Sequence, residues 1–306
     1  MADSSWLWAV FTLIAAAAQT VRNAAQRELT GKLGTVGATH VRFLFGCPFA
    51  LAFLLAMLAA GGTLPQPTLN FWPWLLDGAL AQIAATALML AAMGERSFVV
   101  TIAYIKTEPV QVALFGLIFL GDAVSPLMAA AIVIATAGVI VMSPKGGMSL
   151  RGGTLGGASG GWRPTMLGLS AGACFALSAI GFRGAILSLH DPSYAMAATF
   201  TVTAGLAVQS ALLTLYLGLR DRAVLTAIVV AWRPSLFAGF MGALASQFWF
   251  LAFALATAAS VRTLALVEVL FAQAISHFVF RQPVSAREGA GIAVIVIGVV
   301  LLVWAY

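Results

Sequence analysis

Charge is what this chain has least of. Asp, Glu, Lys and Arg make up 8% of its 306 residues, where a soluble domain carries about 25%. So few charges cannot coat a soluble surface, and a mean hydropathy of +1.01 with 61% hydrophobic residues leads to the same conclusion. Lipid must cover most of the molecule. Cysteine is scarce too: Cys47 and Cys174 both lie in apolar runs, which leaves no disulfide framework and no zinc site. His40, His190 and His277 are scattered, so they supply neither a clustered metal site nor a base beside a nucleophile. A membrane-embedded enzyme therefore has no chemistry to stand on, and no metal or cofactor is expected.

The sequence pI is 9.9, but the 16 Lys and Arg are spread along the chain rather than gathered in a basic domain. That pattern argues against nucleic acid as a partner and for a membrane charge bias. The apolar stretch from Trp6 ends in small residues at Ala15 to Ala18, as a signal peptide would. Only Asp3 precedes it, without the basic segment a signal peptide wants, so a first membrane helix is expected there.

A span needs ~20 apolar residues to cross ~30 Å of hydrocarbon. Such segments fall at Trp6–Ala25, Gly37–Ala60, Phe71–Met93, Ser97–Leu120 and Ser125–Met142, then at Pro164–Leu187, Ser193–Leu217, Pro234–Ala256, Ser260–Phe280 and Ala286–Trp304. The expected fold is all-α and integral to the membrane, with ten transmembrane helices. The Gly-rich, basic stretch Ser143–Arg163 reads as a flexible linker. It divides the chain into units 1–142 and 164–306. No strand precedes its glycines, so they form no phosphate loop.

The two units repeat. A shift of 160 residues lays Glu108 on Glu268, Val124–Ser125 on Val284–Ser285, Gly138–Val139 on Gly298–Val299 and Trp72 on Trp232. Five helices per unit is an odd number, so the second unit enters the membrane the opposite way up, giving an inverted-topology repeat. Arg27, Lys32, Arg96, Lys145, Arg220, Arg222, Arg281 and Arg287 all fall in loops on one side, while residues 61–70 on the other are uncharged. The basic side is expected to be cytoplasmic and both termini non-cytoplasmic.

The fourth and fifth helices read EPVQVALFGLIFLGDAVSP and AAAIVIATAGVIVM, and an Arg-Phe pair stands in VRFLF at Val41–Phe45. These segments resemble EamA-type members of the drug/metabolite transporter superfamily, whose fourth helix ends in a Leu-Gly-acid turn. The second unit departs from the pattern, with Arg281–Gln282–Pro283 at that turn. The resemblance implies a ten-helix permease of a bacterial-type inner (plasma) membrane, commonly an exporter of amino acids or other small metabolites.

A charge inside hydrocarbon costs ~2.5–3.5 kcal/mol on insertion scales, so each needs a reason. Glu108 and Glu268 fall near the middle of the fourth and ninth helices, where inverted-repeat transporters place binding and coupling sites. A carboxyl in a poorly hydrated cavity can exchange a proton near neutral pH. The pair thus offers proton coupling or an anchor for a substrate amine; the plainer alternative is a fixed ion pair with a base on another helix. Lys106, two residues before Glu108, points elsewhere on the same helix and must find its own partner. Pro109 removes a backbone hydrogen bond and suggests a kink.

Arg42 with His40 offers a carboxylate site, but snorkelling to the interface is the cheaper reading for Arg42, Arg22, Arg183 and Arg262. Gln19, Asn23, Gln82, Tyr104, Gln111, Gln247, Trp249 and Gln273 mark polar faces of helices one to four and six to nine. Those helices are expected to line a cavity, with five and ten bracing the outside. Trp249 and Phe253 are further candidates for substrate contact.

The function expected is secondary transport of a small organic solute. Intramembrane bases outnumber the two acids, favouring a carboxylate or phosphate on the solute, and a zwitterionic amino acid would use both signs. A lipophilic cation is the alternative, and it needs Glu108 or Glu268 free of a basic partner. A photoreceptor would use Lys106, the one lysine inside an expected span, as a retinal Schiff base; visible absorbance would test for it.

Overall fold

The computed structural model describes residues 6–95, 104–142, 162–191, 193–271 and 286–305. Helix α1 runs Leu7–Ala59. At 1.5 Å per residue, its 53 residues would reach about 80 Å if straight, far beyond a bilayer. The chain instead breaks at Gly34, with φ 68° and ψ 174°, a conformation essentially confined to glycine. Gln26 Nε2 donates to the Ala38 carbonyl at 2.8 Å across the break, so the two arms fold back on each other. The expected loop between the first two spans is therefore helical except at Gly34.

Helix α2 is Phe71–Glu95. Helix α3 is Glu108–Phe115, prolonged by a π-helical turn at Gly116–Leu120. Then follow α4 (Pro126–Met142), α5 (Trp162–Ser188), α6 (Tyr194–Arg220), a short α7 (Arg222–Val230), α8 (Trp232–Leu255), α9 (Ala258–Leu264) and α10 (Ala286–Ala305). Ser193 caps α6 by accepting from the Met196 N–H at 3.3 Å, and Thr257 caps α9 from the Ser260 N–H at 3.3 Å. Among the described residues, six helices are long and apolar enough to cross a membrane. Large apolar side chains such as Ile118, Leu215 and Val300 face outward. The elements of the described residues are all helical, and the chain is a multi-pass membrane protein.

Four expectations are corrected. The fourth span is not one helix over Ser97–Leu120: the chain turns at Lys106–Thr107 and starts afresh at Glu108. Pro109 therefore lies in a first turn, where its missing N–H is no loss, rather than kinking a helix interior. The ninth span is likewise interrupted, at Ala265–Leu266, before helix resumes over 267–271. Helix α7 occupies what the sequence marks as a loop.

Small residues set the packing. The described helices pair as α1 with α8, α2 with α5, and α4 with α10. Gly138 and Gly298 interlock the last pair: a Cβ on Gly298 would stand 2.5 Å from the Ala135 backbone nitrogen. In lipid, close backbone approach of this kind replaces the hydrophobic effect as the force joining helices. Thr136 is the buried polar side chain that α4 contributes, and the buried residues of α10 are Gly291, Ile295, Gly298 and Leu302.

Candidate functional site

The two interrupted segments meet inside the molecule and exchange charges. Lys106 Nζ lies 2.5 Å from Glu268 Oε2, and Arg262 Nε lies 3.1 Å from Glu108 Oε1. The second contact is electrostatic without hydrogen-bond alignment. All four side chains are at most 7% exposed. On a continuous helix, residues two apart point about 200° from one another. The turn at Lys106–Thr107 removes that constraint, so Lys106 and Glu108 each reach the ninth-span segment.

The first arm of α1 closes the cluster. Gln19, Arg22 and Asn23 are spaced i, i+3, i+4 and share a face. Gln19 Nε2 donates to Glu268 Oε2 at 3.3 Å, while its Oε1 accepts from Trp249 Nε1 at 3.0 Å. Arg22 Nη2 donates to Asn23 Oδ1 at 2.6 Å. The Arg262 guanidinium lies over the Trp249 ring, 4.5 Å from its centroid, an attraction that strengthens once both groups are dry. Met89, Ile105 and Phe175 form the apolar wall. The cavity between these groups is about 10 Å³, the room of one water.

The buried arginines correct the snorkelling expectation. Arg22 and Arg42 are each 1% exposed, Arg262 6% and Arg183 9%. Each head is enclosed within the protein rather than extended along its surface. Arg42 donates to Thr86 Oγ1 at 3.2 Å and Ser246 Oγ at 3.5 Å. Arg183 donates to the carbonyls of Phe253 (2.5 Å) and Ala256 (2.6 Å) at the C-terminal end of α8, where unsatisfied carbonyls attract cations.

Of the residues the sequence singles out, the cavity gathers Gln19, Asn23, Lys106, Glu108, Arg262 and Glu268, with Arg22. Others lie apart. His40 Nε2 is 3.0 Å from Thr214 Oγ1, Gln209 Nε2 donates to Gln82 Oε1 at 3.0 Å, and Gln247 Nε2 donates to Thr199 Oγ1 at 2.7 Å. Tyr104 is buried against Gly168, and Gln111 is half-buried. Gln273 and His277 lie outside the described residues. Sequence reasoning missed Phe175 and Met89, which nothing distinguishes from other apolar residues. Thr86 and Ser246 carried a faint signal as lone hydroxyls in apolar runs.

No family model and no curated protein matches the chain. A solved structure described only as "Crystal structure of protein" has the same fold, with a TM-score of 0.69 at 16% identity over 98% of this chain and 95% of that one. The chain therefore has the fold of an experimentally solved protein.

Proposed function

We propose that this protein is a secondary transporter for a small organic solute, of the EamA type within the drug/metabolite transporter superfamily. It works by alternating access, with ten spans arranged as two inverted five-helix repeats. The observation that carries this reading is the pair of interrupted segments crossing their charges at one buried cavity, Lys106 to Glu268 and Arg262 to Glu108. Interrupted helices around a central charged site are the usual apparatus of inverted-repeat transporters. The repeat gains support from packing: under the 160-residue shift the α2–α5 contact corresponds to that of α8 with the first arm of α1, made at Phe11–Phe248 and Gln19–Trp249, and Gly138 corresponds to Gly298 across the α4–α10 contact.

Two ion pairs that must part for a solute to enter form a gate as well as a site. A zwitterionic amino acid brings both signs and replaces what it separates. The lipophilic-cation alternative requires an acid without a basic partner, and both acids here have one.

Flux into proteoliposomes tests the reading, using amino acids and lipophilic cations with and without a proton gradient, on the wild type, Glu108→Gln and Glu268→Gln. Amino-acid movement whose proton dependence disappears in either variant identifies the pair as the coupling site. Movement indifferent to both variants leaves a transporter whose glutamates are structural. No movement of any solute sinks the proposal.

A further inference from the structure

The buried charges do not balance. Arg183 apart, which pairs with Asp122, the buried bases among the described residues are Arg22, Arg42, Lys106 and Arg262 and the buried acids Glu108 and Glu268, all six at least nine-tenths enclosed. Lys106 and Arg262 take up the two acids. Among the described residues, Arg22 and Arg42 hydrogen-bond to neutral partners: Asn23 for the first, Thr86 and Ser246 for the second. Arg22 Nε and Nη1 and Arg42 Nε are buried without a hydrogen-bond partner. Buried guanidinium N–H groups are costly to leave unanswered. The two arginines are neighbours, since a Cβ on Gly242 would lie 3.1 Å from Arg42 Cγ and 3.4 Å from Arg22 Cδ. Only Arg22 borders the cavity.

We propose that Arg22 is the anion subsite of this cavity, taking the carboxylate of an organic solute, with Arg42 adding positive potential behind it. The inference rests on the transporter reading above and names the chemistry of its substrate. Glu268 lines the same cavity as Arg22, so an ammonium on the same molecule would find its counter-charge there. Met89, Ile105 and Phe175 offer an apolar wall to the remainder of the solute. A cavity of about 10 Å³ admits such a molecule only when Lys106 and Glu268 separate. A zwitterion compensates both partners of that pair, whereas a simple amine adds to the positive surplus.

The test uses the full chain in lipid nanodiscs for thermal unfolding and in proteoliposomes for flux. The probes are the common amino acids, each beside its decarboxylated amine and its deaminated acid, with sodium chloride alone as the inorganic anion. The ligands that bind are expected to carry a carboxylate, and its removal should weaken binding at least tenfold. Arg22→Gln should lose both the ligand-induced stabilisation and saturable uptake, while Arg22→Lys keeps a weaker form of each. Without ligand, Arg22→Gln should unfold at a higher temperature than the wild type, because an unanswered buried charge is gone. A lower unfolding temperature for Arg22→Gln would assign Arg22 a packing role and overturn the proposal. So would uptake surviving in Arg22→Gln, or chloride alone reproducing the stabilisation. Movement of amines but not of their carboxylated parents sinks the subsite and leaves the transporter. Movement of nothing sinks both.

Discussion

Asp122 and Arg183 form a two-pronged pair between the turn that ends the fourth span and helix α5. Arg183 Nε lies 3.3 Å from Asp122 Oδ2 and Nη2 lies 3.3 Å from Oδ1, the planar fork that guanidinium and carboxylate make best. The turn exists because Gly121 takes φ 67°, which lets the Asp122 N–H return to the Gly116 carbonyl at 3.1 Å. The remaining Arg183 donors hold the end of α8. One guanidinium thus joins three elements at one end of the molecule.

Asp122→Asn should therefore destabilise the protein by about 1–3 kcal/mol, the range for losing a hydrogen-bonded partner of a charged group, since the pair is part-buried and the carbonyl partners of Arg183 remain. Thermal unfolding in detergent checks this. Replacing both partners with residues of similar volume should recover much of the loss. A double variant no better than Asp122→Asn would show that the carbonyl contacts carry the role alone.

The crossed pairs predict a double-mutant cycle. Lys106→Gln and Glu268→Gln each take from the other residue its partner in the pair, while the double variant removes both charges. The two single losses should exceed the loss in the double variant by about 1–3 kcal/mol, the range for residues in direct contact. Strict additivity in unfolding free energies would mean that the 2.5 Å contact contributes nothing to stability.

What the sequence makes legible follows from what each signal depends on. The length of an apolar run depends on the bilayer alone, so Phe71–Met93 and Ala286–Trp304 agree with α2 and α10 to within two residues. Glu108 and Glu268 stand out because a charge in an apolar run is expensive wherever its partner lies. The turns at Lys106–Thr107 and Ala265–Leu266 leave no such mark: Pro109 signals an irregularity but not its form. The burial of Arg22, Arg42 and Arg183 was not legible, because a snorkelling arginine and an enclosed one differ only in what other helices bring to them. For Arg42 that is one hydroxyl from α2 and one from α8. A single sequence does not say which faces meet.

Glycine contacts separate two kinds of substitution. Gly298→Leu places side-chain atoms where the Ala135 backbone already lies, since even a Cβ would come within 2.5 Å of its nitrogen. It should cost about 2–3 kcal/mol or prevent folding. Gly34→Ala meets no atom within 4 Å but must hold φ 68° and ψ 174°, at a cost of about 1–3 kcal/mol. Gly31→Ala, helical and equally unobstructed, should gain about 0.5–1 kcal/mol. Unfolding temperatures in the order Gly31→Ala, wild type, Gly34→Ala, Gly298→Leu are expected. A neutral Gly34→Ala would mean that the two arms of α1 are not separated by a left-handed residue.

Orientation offers a test independent of transport. Lys and Arg crowd one set of loops, and the chain proposed here crosses ten times, so both termini are expected on the non-cytoplasmic side. In a bacterial host, a C-terminal alkaline phosphatase fusion should be active, since that enzyme matures only outside the cytoplasm, and a green fluorescent protein fusion should be dark. Fusions after Arg222, on the opposite side, should show the reverse. A bright C-terminal fluorescent fusion would invert the topology. A different result at Arg222 with the C-terminus as expected would place the fault in the number of spans between them, and the inverted repeat would fall with it.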